Sequence, residues 1–127
     1  MIDRTDRRMC MTAAWDEVIQ FNERYFRGWR GVDEVFYSNA LAGEVGEVCN
    51  MVKHRAGGGT SKSNPSAYTL MDELADVFIY LEILVERMGL DVTSLADAIH
   101  TKVQVNEKRM ESNLKNSEEP LGEGKEK

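Results

Sequence analysis

Two pairs of acids stand at a spacing that matters on a helix. Glu44-x-x-Glu47 and Glu73-x-x-Asp76 each place carboxylates at i and i+3, on one face of one helix. On a helical wheel Glu44 falls between Val48 and Met51, and Glu73 is flanked by Leu70, Val77 and Tyr80, so these acids lie within or beside faces that ought to pack. If the two pairs converge, carboxylates about 5 Å apart repel by roughly 3 kcal/mol per pair at an effective dielectric near 20. Desolvation adds to that cost, and a cation must offset it. An all-oxygen donor set suits a hard divalent ion, magnesium or else manganese. A di-iron bundle would want Glu-x-x-His on each of two helices, and neither His54 nor His100 follows a glutamate by three. Zinc lacks His and Cys ligands at useful spacing. One such pair alone is ordinary on a solvated helix; two on neighbouring antiparallel helices call for more. Gly43 and Gly46 bracket Glu44 and weaken the helix there, either because a ligand or backbone comes close or because two helices pack tightly.

Further along, Lys102, Asn106 and Arg109 recur at i, i+4 and i+7, continuing the line of Leu95 and Ile99. Such a stripe could hold phosphate oxygens, although a solvated face is its plainer reading. Tyr80, four residues beyond Asp76, could cover a ligand with its ring or reach a phosphate with its hydroxyl; an aromatic core filler is the alternative. Trp15, Tyr25, Trp29 and Tyr37 are enough aromatics to stack a base, with core packing the simpler role for any one.

Helical periodicity dominates the elements that must position these groups, and the fold class is all-α. Trp15, Val18, Ile19 and Phe26 define a first helix of about four turns from Thr12, preceded by an N-terminal extension over 1–11. Asp33 should cap the second helix, which must stop before Gly57-Gly58-Gly59. The segment 56–64 reads as a connector or a lid. Asn64-Pro65-Ser66 opens the third helix, the most buried, which ends at Gly89. Thr93 or Ser94 caps the fourth. The helical domain should span 12–111, and the polar segment 112–127 should be a disordered tail.

With 127 residues, the chain has room for one cored domain. Its formal charge of −6 disfavours gripping a nucleic acid polymer by charge. Cys10 and Cys49 are too few for a disulfide framework, and Cys49 sits among apolar residues as a buried thiol would. No stretch is apolar enough to span a membrane and no apolar signal core follows Met1, so the expectation is a cytoplasmic protein.

Together, Leu41-Ala-Gly-Glu-Val-Gly-Glu-Val48 and Asp72-Glu-Leu-Ala-Asp-Val-Phe-Ile-Tyr-Leu81, followed by Lys102-x-x-x-Asn106-x-x-Arg109, resemble the MazG family. These are all-α nucleoside triphosphate pyrophosphohydrolases, and the likeness covers roughly residues 33–110, closest to short single-domain, dCTPase-type members. The resemblance implies an antiparallel four-helix bundle assembled by dimerisation, as a homodimer or homotetramer. It implies magnesium on Glu44, Glu47, Glu73 and Asp76, and a triphosphate held by Tyr80, Lys102, Asn106 and Arg109. It further implies base recognition around Gln20, Asn22 and Trp29, and hydrolysis of an NTP or dNTP to the monophosphate and pyrophosphate. Either Glu44 or Glu47 is favoured as the base that activates water. The alternatives are a dUTP-restricted or phosphoribosyl-ATP pyrophosphohydrolase, or a non-catalytic helical module that binds nucleotide or protein.

Overall fold

A computed structural model describes residues 3–57 and 67–118. Among them are four helices, α1 (Arg4–Tyr25), α2 (Glu34–Ala56), α3 (Ala67–Arg87) and α4 (Val92–Glu118), a 3-10 turn at Trp29–Gly31, and no strand. The all-α class is as the periodicity requires. No helix among the described residues is long and apolar enough to cross a membrane.

Local chemistry accounts for most boundaries. The Asp33 carboxylate accepts the Val35 N–H at 2.8 Å, satisfying one of the donors that the first turn of α2 leaves free. At the other end, the Gly57 N–H closes on the Lys53 carbonyl. The turn after α3 has Gly89 at φ +75°, a conformation that costs a side chain and that glycine adopts freely.

Three boundaries differ from expectation. Helix α1 starts at Arg4, a full two turns before Thr12, where the first helix was expected to begin. Similarly, α4 runs on to Glu118, making 112–118 helical where its composition suggested disorder. Both stretches are polar, and polarity governs burial, whereas Arg, Met, Glu, Leu and Lys all favour helix intrinsically. Lastly, α4 begins at Val92, which puts Thr93 and Ser94 inside its first turn. The expected tail from 119 onward, the connector or lid over 58–64 and the Asn64-Pro65-Ser66 cap lie outside the described residues.

The chain divides into two compact units, Met1–Val92 and Thr93–Lys127. In the first unit, α2 and α3 form the main packed pair. Their partners Val32 with Arg87, Tyr37 with Ile83 and Glu47 with Glu73 run in opposite senses, so the two helices are antiparallel. The core is Trp29, Tyr37 and Ile83, with Val18 and Ile19 of α1 and Ile79, Tyr80 and Leu84 of α3 packed around it. Trp15 fastens α1 to α3. Its indole N–H donates to Glu86 Oε1 at 2.7 Å and its ring meets Phe78 edge-on at 6.2 Å. In the second unit, α4 carries exposed Ile99, Val103, Val105, Met110 and Leu114.

Candidate functional site

The antiparallel register of α2 and α3 carries the middle of one helix to the first turns of the other, and the acids meet there. Glu44, Glu47 and Glu73 each offer an oxygen, all within 4.8 Å of one another. Glu44 and Glu73 are half-buried and Glu47 is exposed. Asp76, also exposed, stands outside that trio yet acts on it electrostatically. A hydrogen bond with Glu47 holds the Glu73 carboxyl above the usual range, reinforced by desolvation and by the charges of Glu47, Asp76 and Glu44. Desolvation raises Glu44, with Asp76 and Glu47 adding to it. Three carboxylates sharing one small volume, two of them pushed toward the neutral form by their neighbours, make a donor set fit for a hard cation.

Among the described residues, a methyl group at Gly43 or Gly46 would meet nothing within 4 Å, so tight packing within them does not explain the glycines that bracket Glu44.

Beside the acids lies a cavity of about 800 Å³, and Asp76 belongs to its wall. The connector between α1 and α2 builds it. As α1 ends, the 3-10 turn drops Trp29 into the core at 2% exposure. Tyr37 then donates its hydroxyl to the Trp29 carbonyl at 2.9 Å, and burial pushes that phenol above its ordinary range. Arg30 stacks on the Trp29 ring at 4.2 Å and pairs with Glu23 at 3.0 Å. Arg87 donates to the Val32 carbonyl at 2.8 Å, tying the connector to the end of α3. The resulting wall is rich in aromatic side chains: Phe21, Phe26, Phe36, Trp29, Tyr37 and Tyr80. Tyr80, half-buried, therefore faces a cavity that adjoins the acids, while also packing on the core.

Lys102, Asn106 and Arg109 lie on α4, in the second unit. There Arg109 donates to Asn106 Oδ1 at 3.2 Å; Lys102 and Arg109 are exposed and Asn106 is half-buried. Cys49 is exposed and not a buried thiol, because apolar neighbours in sequence radiate around a helix and do not place it on the packed face.

One acid escaped the sequence reading altogether. Glu82 is 0% exposed, and among the described residues neither carboxylate oxygen has a hydrogen-bond partner. Desolvation, with some repulsion from Glu86 one turn on, pushes its carboxyl up to about 7. The signal was present: Glu82 interrupts an apolar run from Val77 to Val85, where a helix that is apolar all round leaves an acid no wet face. No family model, no curated protein and no solved structure matches this chain.

Proposed function

We propose that this chain is a magnesium-dependent nucleoside triphosphate pyrophosphohydrolase of the MazG kind, converting an NTP or dNTP and water to the monophosphate and pyrophosphate. The observation that carries this reading is the convergence of Glu44, Glu47 and Glu73 within 4.8 Å, beside an aromatic cavity that shares Asp76 with them. The cavity has the volume and stacking surfaces for a nucleobase. Its position against the acids would leave the phosphates of a bound nucleotide at the carboxylates.

Glu44, Glu47 and Glu73 would hold the ion, with Asp76 adjacent. A magnesium or manganese ion held there would supply the positive charge that offsets the acids and the phosphate oxygens. Glu44 or Glu47 takes the proton of the attacking water. The oxygen of that water bonds to the α-phosphorus as the bond to the β-phosphate oxygen breaks, and pyrophosphate leaves in line. Trp29 and Tyr80 shape the walls against which the base rests. Large apolar side chains left exposed on the first three helices, Phe21, Val45, Val52, Met71 and Leu74 among them, fit assembly as a homodimer or homotetramer. A cytoplasmic role in cleaning the nucleotide pool follows from the same reading.

The test is a panel of ordinary and modified NTPs and dNTPs, with dUTP and phosphoribosyl-ATP included, incubated with protein and magnesium and assayed for pyrophosphate. Release from one or more nucleotides, abolished by chelation, is the expected result. Binding without release would identify a non-catalytic module and overturn the hydrolase.

A further inference from the structure

Helix α1 meets α3 along a seam with an acid beneath it. Trp15 of α1 touches α3 at two points, its ring against Phe78 at 6.2 Å and its indole N–H on Glu86 Oε1 at 2.7 Å. Phe78 and Glu86 stand one turn before and one turn after Glu82 on the same face of α3, so the seam passes over Glu82. That carboxyl is sealed from solvent and, among the described residues, has no hydrogen-bond partner. The groups around it offer its charge no compensation. On α3, Glu86 repels it. Across the seam α1 presents the uncharged indole of Trp15, while Asp16 and Glu17 beside that tryptophan are exposed. From the connector, Arg30 comes only to 3.9 Å from Glu86 Oε2 and is engaged by Glu23 at 3.0 Å. Tyr37 of α2 packs with Ile83, its hydroxyl committed to the Trp29 carbonyl, and Arg87 is committed to the Val32 carbonyl.

An anion at Glu82 must reach water, and parting this seam is a shorter route than separating α2 from α3, the main packed pair. Helix α1 is lightly fastened, with Met9, Met11, Phe21 and Tyr25 all exposed. Phe21 and Asn22 of the same helix line the aromatic cavity, so parting the seam also takes away part of the cavity wall. We propose that Glu82 is a proton-operated latch on α1: while its carboxyl is neutral α1 docks and completes the aromatic cavity, and when it ionises α1 leaves α3 and the cavity loses that wall. One proton passes between Glu82 and solvent, and no covalent bond changes. A molecule lodged in the cavity would favour the docked helix and therefore the bound proton.

Hydrogen–deuterium exchange of the full chain, read by mass spectrometry from pH 5 to pH 8 and corrected for the intrinsic pH dependence of exchange, tests the latch. Docked, Glu82 keeps its proton to about 7; released into water, it loses it near 4.5. The open population of α1 should therefore rise about tenfold for each pH unit between those values and level off above the higher one. Throughout, α1 peptides should be less protected than those of α2 and α3. Glu82→Gln, which keeps the neutral shape, and Glu82→Leu, which needs no partner, should each flatten the α1 profile, the second serving if the first does not fold. Glu86→Gln keeps an oxygen for Trp15 but removes the repelling charge, so the rise should persist and level off at lower pH. Protection of α1 that is constant with pH, or a rise that survives in the Glu82 variants, would overturn the latch. Equal protection of α1 and of α2 with α3 at every pH would overturn it too, because the unit would then open as a whole.

Discussion

Helix α3 carries acids toward both ends, and their settings are opposite. Near its start, Glu73 meets Glu44 and Glu47 from α2 at a partly wet surface, where neighbouring acids contribute to holding carboxyls above their normal range. Near its end, Glu82 has no solvent and, among the described residues, no hydrogen-bond partner, and burial leads in raising it. The first arrangement is open to relief by a cation from outside. The second is relieved by a proton, or by unfolding. One helix thus shows the two ways in which a protein can tolerate a misplaced negative charge, and only the accessible one is equipped to bind something.

The sharpest way to break the comparison is at the accessible end. Glu44→Gln or Glu73→Gln should lower magnesium-dependent pyrophosphate release by about 100-fold or more, given what losses even around metal ligands cost. Thermal melts without metal should show no loss of stability, since each variant removes a repulsive charge. Retained turnover in either variant would detach the acids from catalysis.

At the closed end, the signature is pH dependence. An ordinary glutamate in the unfolded chain releases its proton near 4.5, whereas Glu82 in the folded chain holds it to about 7. The folded state therefore binds the extra proton between those values, and stability must fall as pH rises through that window and level off above it. The full loss is about 3 kcal/mol, because each tenfold difference in proton affinity between the folded and unfolded chain is worth about 1.4 kcal/mol. Denaturant titrations at pH 4.5 and pH 8 should show this contribution, and Glu82→Gln should flatten it. Equal pH slopes in both proteins would remove Glu82 as its source.

Trp15→Phe probes the seam between α1 and α3 next to that buried acid. It keeps an aromatic ring facing Phe78 but deletes the indole donor to Glu86, and should cost about 1–3 kcal/mol by leaving a carboxylate short of its partner. Chemical denaturation would read the loss.

The smallest effect belongs to the open side of α2. Gly43→Ala and Gly46→Ala add methyl groups that touch nothing, so each should stabilise the chain by about 0.5–1 kcal/mol. A simultaneous fall in activity would show that the vacant side serves a substrate or a second copy.

Much of this arrangement was legible in the sequence because it obeys local rules. Asp33 as a cap, the end of α2 at Gly57 and the turn at Gly89 follow from backbone chemistry that neighbouring residues alone decide. The meeting of Glu44, Glu47 and Glu73 was readable because i, i+3 spacing fixes a face, and an antiparallel pair of helices then supplies the rest. What escaped depends on burial. Hydrophobic patterning reports where the core lies and says little about how far a polar helix continues, which is why α1 begins at Arg4 and α4 reaches Glu118 against expectation. Cys49 was assigned to the interior from its apolar neighbours in sequence, although their side chains radiate around the helix. Asn22 entered only through the family resemblance, as part of a region for base recognition; its orientation depends on a hydrogen bond to Val18 that spacing permits and does not dictate.

The protein also contains its own spectroscopic reporters. Its two tryptophans are both 2% exposed, Trp15 at the docking seam of α1 and Trp29 in the wall of the cavity. Intact protein should fluoresce at short wavelength, and detachment of α1 should redden the signal from Trp15 ahead of that from Trp29. In Trp15→Phe the remaining emission belongs to the cavity alone, giving an optical record of whatever enters it without any added dye.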